Sequence, residues 1–356
     1  MNKVAKIEFK KITRISPSQF YSMKNCAYKS VLAEAFDKKP LLPVSPNAYL
    51  GTVLHKVLEL MVKGIIKTEE EFNKSFDECI RQEESRLAEL GYNFFIPLQK
   101  NVKDFGMKKI LLKKHMRNKT ENHQSAITRK FYSEKWLESK DSLIAGKIDL
   151  LVENQDGTEI IDFKTGSITQ DFLDDDGEIF IDIKEEYKGQ LKLYACLYRE
   201  ATGRFPDKLT LIDLAKQRFE IDFSEVECNS LFEEAKQLLS VTNDGIEHGV
   251  FSANPSEANC KYCLYRPACS FFLQFIITDK SFNDVVGTVK NVIKYQNGNV
   301  SVFLESEGNT TIITNFSLER YDELNGSLNK YICIFNLRKE ATELVYSATK
   351  TTVIYE

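Results

Sequence analysis

The sequence has no surplus of basic residues and no long apolar run, and each absence excludes a class of protein. Its 48 lysines and arginines against 52 acidic residues leave a formal net charge of −4. A general attraction to phosphate is therefore excluded, and any nucleic-acid binding must come from local basic surface. The longest apolar stretch, residues 271–277, is too short to cross a bilayer, so no membrane contact is expected.

The first residues also lack the continuous apolar core of a secretory signal, because basic residues recur from Lys3 to Arg14. We therefore expect a cytoplasmic protein. With 42% hydrophobic and 28% charged residues, the composition is that of a folded globular protein rather than a disordered or collagen-like one. A length of 356 residues favours two domains.

Two β-type runs, residues 143–152 and 158–163, are separated by a polar turn and predict a hairpin. Each run contains one aspartate between apolar neighbours, Asp149 in the first and Asp162 in the second. Burying an unpaired carboxylate costs about 2–5 kcal/mol unless a cation or hydrogen bonds compensate it. A divalent metal ion would compensate both aspartates.

Lys164 follows Asp162 by two residues, which places both on the same face of the predicted strand. Two carboxylates beside an ammonium suit phosphodiester hydrolysis, in which Mg²⁺ or Mn²⁺ polarises the phosphate and activates a water. Lys164 would orient that water and stabilise developing charge. An Asp-x-Lys pattern also occurs on any solvated strand face, so this motif needs support from other residues.

The eight cysteines are not expected to form disulfides in a reducing compartment. Cys260, Cys263 and Cys269 crowd into one tight loop and offer three ligands of a metal site. Spacing alone leaves both Zn²⁺ and a [4Fe–4S] cluster open. Buried structural thiols are the favoured interpretation of the four that lie in helix- or strand-like patterns: Cys79, Cys196, Cys228 and Cys333.

From about residue 284 the sequence changes to short β runs, at 285–295, 300–305, 310–314, 331–336 and 342–355. A predicted helix, residues 317–324, falls between the third and fourth runs, which is the order of an OB-type barrel. Such barrels stack single-stranded bases on aromatic side chains. The available aromatics are Tyr295, Phe303, Phe316 and Phe335, most of which could instead be core residues, and protein docking is an equal alternative.

Five motifs, taken together and in order, resemble the RecB-like branch of the PD-(D/E)xK nucleases. They are His55 in Gly51-Thr52-Val53-Leu54-His55, Asp149 in Gly146-Lys147-Ile148-Asp149, the run Ile161-Asp162-Phe163-Lys164-Thr165-Gly166, and Gln190 and Tyr194 in Gln190-Leu191-Lys192-Leu193-Tyr194. The resemblance implies an α/β, restriction-endonuclease-like core with helical insertions.

The same resemblance implies roles for individual residues. Lys164 would be the catalytic lysine. Gln190 and Tyr194 would support Lys164 and the DNA backbone. Glu134 falls where the family often has an acidic residue. The metal ligands would be His55, Asp149, Asp162 and the backbone carbonyl of Phe163.

The cysteines resemble those of the AddAB nuclease domain and of the nucleases of CRISPR adaptation, which hold a [4Fe–4S] cluster with one early and three late cysteines. Cys26 matches the early position, although the proline usual after it is replaced by Ala27. The cluster would tie the beginning of the nuclease domain to its end and act as a structural staple.

We therefore predict a nuclease domain at residues 1–275 with an iron–sulfur cluster, and an all-β, OB-like barrel at residues 284–356. The expected activity is Mg²⁺- or Mn²⁺-dependent hydrolysis of DNA, as an exonuclease on single-stranded ends, in repair, recombination or defence. Without a Walker P-loop in the sequence, unwinding would need a partner helicase. The alternatives are a non-catalytic, DNA-holding subunit of a helicase–nuclease complex and a zinc-stapled single-strand binding protein.

Overall fold

A five-stranded sheet and a seven-stranded sheet form the framework of this mixed α/β protein, and a two-stranded sheet accompanies them. The computed structural model describes residues 1–117, 130–155, 157–173 and 179–356. Asp156, part of the predicted hairpin turn, lies outside these residues. No helix in the described ranges has the length and apolar character needed to span a membrane.

The helices and strands follow in chain order. The helices are α1 (Phe20–Asn25), α2 (Ala27–Ala35), α3 (Pro46–Val62), α4 (Glu69–Glu89), α5 (Leu98–Asn101), α6 (Phe105–Arg117), α7 (Glu185–Thr202), α8 (Glu225–His248), α9 (Glu257–Cys260), α10 (Ser270–Thr278) and α11 (Tyr321–Asn325). The strands are β1 (Lys130–Glu138), β2 (Ala145–Asn154), β3 (Gly157–Lys164), β4 (Thr169–Leu173), β5 (Ile179–Ile183), β6 (Lys208–Asp213), β7 (Arg218–Glu220), β8 (Val285–Lys294), β9 (Val300–Ser306), β10 (Asn309–Phe316), β11 (Tyr331–Phe335), β12 (Arg338–Lys339), β13 (Val345–Ser347) and β14 (Val353–Tyr355).

The chain divides into two compact units. One contains Met1–Lys11, Asn25–Val44 and Asp244–Glu356, and the other contains Ile12–Lys24 and Ser45–Asn243. We call them the cysteine unit and the carboxylate unit, after the predicted site residues in each. The predicted boundary between residues 275 and 284 follows sequence motifs rather than compactness and stays a prediction.

The five-stranded sheet of the carboxylate unit has the order β1-β2-β3-β6-β7. The predicted hairpin is confirmed, because β2 and β3 pair antiparallel. β3 then pairs parallel with β6, and α7 forms the connection between them. The left-handed Gly203 (φ 83°) ends α7, as expected of a helix C-terminus.

Helix α3 supplies a second wall of the carboxylate unit. Ser45 caps its first turn by accepting a hydrogen bond from Asn47 N, and Pro46 fits the first helical position, where no amide donor is needed. The helix buries one broad apolar stripe: Tyr49, Leu50, Val53, Leu54, Val57, Leu58 and Met61. This orientation leaves His55 and Glu59 half-buried beside the stripe.

The seven-stranded sheet of the cysteine unit forms a half-barrel with the order β12-β13-β10-β9-β8-β11-β14. β8, β9 and β10 make an antiparallel meander, and β13 pairs parallel with β10. Only Asn336 and Leu337 separate β11 from β12. One short stretch of chain therefore supplies strands near opposite ends of the strand order. The inner face is apolar, with Val289, Val300, Val302, Leu304, Ile313, Ile332 and Ile334 all fully buried.

One expectation for this region was wrong, and an open alternative is decided for two aromatics. The run predicted at residues 342–355 is two short strands, β13 and β14, because a turn interrupts it: Thr349 N donates to Thr352 Oγ1 at 2.7 Å. Phe316 and Phe335 are core residues, 2% and 0% exposed, and cannot stack on a base. Tyr295 is exposed and Phe303 is half-buried.

Two helical glycines predict opposite effects on stability. A Cβ at the buried Gly189 of α7 would collide with the Tyr21 ring, whereas a Cβ at Gly106 of α6 would meet open space. We expect Gly189→Ala to lower the free energy of unfolding by about 1–3 kcal/mol. Gly106→Ala should leave it unchanged or raise it by up to about 1 kcal/mol. Urea unfolding followed by circular dichroism measures both, and equal effects would contradict this packing.

Candidate active site and cysteine cluster

Three acidic residues lie in line across three neighbouring strands, and we call them the acidic row. The register of β1 on β2 places Glu134 opposite Asp149, and the β2–β3 register, continued by one residue, places Asp162 next in line. Like charges directly opposite each other destabilise a sheet. Glu134 also has a φ of 57°, a conformation that costs a non-glycine residue about 1 kcal/mol or more. The row therefore requires compensation by cations.

Asp162 is the most deeply buried member of the row, at 3% exposure. Its Oδ1 accepts a hydrogen bond from Gln190 Nε2 at 2.8 Å. Its Oδ2 lies 2.7 Å from Lys164 Nζ, but this contact is an ion pair by distance only: Oδ2 accepts no hydrogen bond from the described residues. A buried carboxylate oxygen without a donor is costly, and a bound cation is the partner that would satisfy it.

Lys164 is held from two further sides. Its ammonium donates to Gln190 Oε1 at 2.8 Å and lies 4.4 Å from the centroid of the Tyr187 ring. Gln190 thus bridges Lys164 and Asp162, donating to one and accepting from the other. This arrangement fixes the amide orientation of Gln190, because only one assignment of its oxygen and nitrogen satisfies both contacts.

Tyr194, one helical turn after Gln190, contacts the sheet rather than Lys164. Its hydroxyl donates to the carbonyl oxygen of Lys147 at 2.8 Å. Burial and the carboxylates of Asp162 and Asp149 raise the pKa of Tyr194, so it stays a neutral hydrogen-bond donor. Its contact anchors α7 on β2 next to the acidic row.

Asp149 lies between the other two carboxylates and is half-buried. Its Oδ2 accepts the backbone N–H of Phe163 at 2.8 Å. Burial and the Asp162 carboxylate raise the pKa of Asp149 to about 7, and the Phe163 N–H and Lys164 oppose that rise. The predicted contribution of Phe163 was its carbonyl, and the structure adds its amide as a support for Asp149.

His55 reaches the same place from α3. It shares a small recess, the carboxylate recess, with Leu58, Glu59, Val62, Glu134, Asp149 and Phe163. Burial lowers the pKa of His55, which favours the neutral imidazole that binds metals. Glu59 was missed from the sequence, although its spacing of four residues from His55 puts both on one helix face. Its carboxylate is held by Lys56 and Lys63.

The donor set of the recess fits a divalent cation. Carboxylate and carbonyl oxygens with one imidazole are ligands that Mg²⁺ and Mn²⁺ accept. Asp162, next to Asp149 in the acidic row, adds an Oδ2 that accepts no hydrogen bond from the described residues. In the described ranges no three His, Cys, Asp or Glu side chains already stand close enough to hold one ion. Lys164 provides the positive charge beside Asp162 in this arrangement.

In the cysteine unit, the four predicted ligands converge on one cavity. Cys26 immediately precedes α2, and Cys260, Cys263 and Cys269 belong to the loop 260–269, which we call the cysteine loop. All four cysteines line the cavity, beside mainly apolar neighbours such as Leu32 and Phe272. All are free thiols.

Burial opposes ionisation of the thiols in the cysteine loop. It raises the pKa of Cys260 and Cys263, and it raises that of Cys269 to about 12. Thiolates form in such a cavity when a metal centre compensates their charge, so the donor chemistry fits a metal or iron–sulfur group. Among the remaining cysteines Cys196, Cys228 and Cys333 are buried as expected, and Cys79 is half-buried.

Arg266, also missed from the sequence, organises the cysteine loop from inside. Its guanidinium donates to the carbonyls of Cys260 and Cys263 at 3.1 and 2.7 Å. It also pairs with Asp284 at 2.6 Å and donates to Asn336 Oδ1 at 2.9 Å. Because Asp284 and Asn336 border strands of the half-barrel, one buried arginine connects the loop to the sheet.

Removal of Arg266 should destabilise the cysteine unit strongly. Its side chain and that of Asp284 are 6% and 3% exposed, so Arg266→Ala leaves a buried, unpaired carboxylate. We expect a loss of about 3–5 kcal/mol in the free energy of unfolding, measured by denaturant titration. Arg320→Ala is the matched control, because Arg320 and Glu323 form a more exposed pair and the loss should stay below about 1 kcal/mol.

A double variant separates pairing from packing. If the buried charge causes the loss, Arg266→Ala with Asp284→Ala should lose clearly less than the sum of the two single variants. Additive losses would show that the pair contributes only packing.

Comparison with known proteins identifies the family to which this chain belongs. The model of the PD-(D/E)XK nuclease superfamily matches residues 14–270, more than half of the chain, and the protein belongs to that superfamily. One subunit of an ATP-dependent helicase/nuclease from Carboxydothermus hydrogenoformans is 41% identical over 66 residues. That match covers 18% of this chain and 5% of the relative. A crystal structure of a candidate exonuclease from Eubacterium rectale has a TM-score of 0.43 and 13% identity, covering 70% of this chain and 87% of that one.

Proposed function

We propose that this chain is a Mg²⁺- or Mn²⁺-dependent deoxyribonuclease that hydrolyses phosphodiester bonds. The observation that carries the proposal is the buried Asp162, whose Oδ2 lacks a hydrogen-bond donor among the described residues while Lys164 and Asp149 lie beside it. In the proposal it acts as an exonuclease on single-stranded DNA ends in DNA repair, recombination or defence. Membership in the nuclease superfamily supports the reaction class.

The proposed mechanism assigns each residue one task. Asp149, Asp162, His55 and the Phe163 carbonyl would hold the metal ion, which when bound polarises the phosphate and activates a water. Lys164, held 2.8 Å from Gln190 Oε1, orients the attacking water and stabilises the charge that develops on the phosphate. Tyr194 keeps α7, and therefore Gln190, at a fixed distance from β2.

A non-catalytic, DNA-holding subunit of a helicase–nuclease complex is the second candidate. The relative that matches over 66 residues is named as a subunit of a helicase/nuclease. We therefore include a helicase partner in the proposal. A chain without catalytic function has no need for Asp149, Asp162 and Lys164 to stay together. Their mutual contacts therefore favour the enzyme. We also propose a cytoplasmic location for this chain.

Substitution of the central lysine tests the reaction. Lys164→Ala should lower the rate of single-stranded DNA cleavage in Mg²⁺ or Mn²⁺ by about 100-fold or more, and EDTA should abolish it in the wild type. Lys192→Ala, on the same helix as Gln190 but paired with Glu227, is the control and should cleave normally. Cleavage that survives Lys164→Ala would contradict the assigned role. A wild type that binds DNA and never cleaves it would favour the non-catalytic subunit.

We also propose that Cys26, Cys260, Cys263 and Cys269 hold a [4Fe–4S] cluster. Their convergence on one cavity supports a bound metal group. The resemblance to nucleases with one early and three late cysteines favours iron–sulfur over zinc. The cluster would act as a structural staple within the cysteine unit, because the arginine-held loop and Cys26 both contribute ligands.

The cluster is tested on anaerobically purified protein. Wild type should be brown and contain about four iron atoms per chain. Cys263→Ala should lose colour and solubility together, and Cys79→Ala should retain both because Cys79 lies on α4, outside the cavity. Zinc in place of iron would support the zinc-stapled alternative. A folded, colourless and active Cys263→Ala protein would exclude the structural role.

The half-barrel fits an OB-type arrangement. The strands β8, β9 and β10 are antiparallel, and the short helix α11 follows them. Next along this order, β11 pairs with β8, and β13 pairs parallel with β10, as in an OB-type barrel. Of the four aromatics predicted to stack on DNA, Tyr295 and Phe303 keep accessible surface. Single-stranded DNA and a protein partner stay equal alternatives for its ligand, with residues 284–356 as the proposed domain.

A further inference from the structure

The edge strand β1 exposes three large aromatic side chains in the carboxylate unit. Phe131, Tyr132 and Trp136 are 56%, 37% and 51% exposed, and we call them the aromatic edge. β1 ends the five-stranded sheet, so no strand of the described residues pairs with its outer side. Proteins usually blunt such edges with charges or cover them, because exposed aromatic surface promotes association. These rings therefore suggest a surface for a ligand.

Cations accompany the rings of the aromatic edge. Lys135 Nζ lies 4.8 Å from the centroid of the Tyr132 ring, and Arg14 Cζ lies 5.4 Å from that of Trp136. Lys147 lies opposite Trp136 across the ladder and forms an ion pair with Glu134, and Arg14 also lies 3.6 Å from Glu138 in an exposed ion pair. Exposed rings with cations beside them match the requirements of single-stranded nucleic acid, whose bases stack and whose phosphates attract positive charge.

The aromatic edge is continuous with the acidic row. Glu134 lies on β1 between Tyr132 and Trp136 and lines the carboxylate recess together with His55 and Asp149. With a rise of about 3.3 Å per residue, Tyr132 and Trp136 are roughly 7 Å along the strand from Glu134, and Phe131 is roughly 10 Å from it. A polymer that stacks on these rings would therefore run past the entrance of the recess.

We propose that the aromatic edge is the platform on which the single-stranded nucleic-acid substrate stacks as it enters the carboxylate recess. Tyr132 and Trp136 contact bases, and Lys135 and Arg14 attract the adjacent phosphates. This inference rests on the proposed nuclease function and adds the path of the substrate. A protein strand added to β1 would use main-chain hydrogen bonds and has no need for rings flanked by cations.

The test measures binding without cleavage. A fluorescent single-stranded deoxyoligonucleotide and an abasic oligonucleotide of equal length are titrated in EDTA at constant salt, with fluorescence anisotropy as readout. Trp136→Ala should weaken binding of the base-bearing strand by about 5- to 100-fold and leave binding of the abasic strand unchanged. Trp136→Phe, which keeps a ring, should restore most of the affinity. Tyr262→Ala removes an exposed aromatic, 76% exposed, that lies outside both the aromatic edge and the half-barrel, and it is the control.

The outcomes separate this inference from the proposed function. If wild type cleaves DNA and Trp136→Ala binds the base-bearing strand as tightly as wild type, the platform is wrong while the nuclease stands. An equal loss on both oligonucleotides would also overturn it, because stacking requires a base. If wild type neither binds nor cleaves DNA, the nuclease function fails and the platform with it. Thermal unfolding of each variant confirms that the exposed substitutions leave the fold intact.

Discussion

A carboxylate buried to 3% exposure in the middle of a sheet is the constraint around which the carboxylate unit is arranged. The charge of Asp162 has to be compensated where it stands: Lys164 on the same strand supplies a positive charge, Gln190 on α7 donates to Oδ1, and Oδ2 accepts no hydrogen bond from the described residues. Gln190 can reach Asp162 and Lys164 only if α7 packs closely on the sheet. Gly146 on β2, where a Cβ would lie 3.0 Å from the Tyr194 ring, and the hydrogen bond of the Tyr194 hydroxyl to the β2 backbone allow that approach. The packing of α7 on the sheet and the contacts of Gln190 thus serve the same requirement, compensation of the buried Asp162 carboxylate.

The cysteine unit also contains a buried charge, but of the opposite sign. Arg266 is a buried cation, and Asp284 together with two carbonyls of the cysteine loop satisfies its donors. Buried ion pairs add little stability over apolar residues of the same size, but breaking one is costly, so they act chiefly to fix one geometry. Here that geometry is a loop with three thiols facing one cavity. Arg266 and the backbone hydrogen bonds within the loop hold this geometry together.

Sequence patterns could predict the local part of this architecture. The hairpin, Asp149, Asp162 and Lys164 follow from apolar alternation interrupted by charges, and the family match supports the nuclease core. Contacts between distant segments were inaccessible, because Arg266 reveals its role only when Asp284 lies against it. The single strand predicted at residues 342–355 failed because hydroxyl-to-backbone hydrogen bonds in a threonine-rich turn compete with strand pairing. Phe316 and Phe335 showed that aromatic content alone does not distinguish a binding face from a core.

The acidic row also sets the direction from which a substrate can arrive. Its members become more accessible from the centre of the sheet to the edge: the Asp162 side chain is 5% exposed, Asp149 is half-buried, and the Glu134 side chain is 30% exposed. The row ends on β1 because β1 is the edge strand. A ligand approaching from solvent therefore meets Glu134 first. The strain at Glu134, with its φ of 57°, lies where the chain turns a carboxylate toward the carboxylate recess while the same strand exposes aromatic rings on either side.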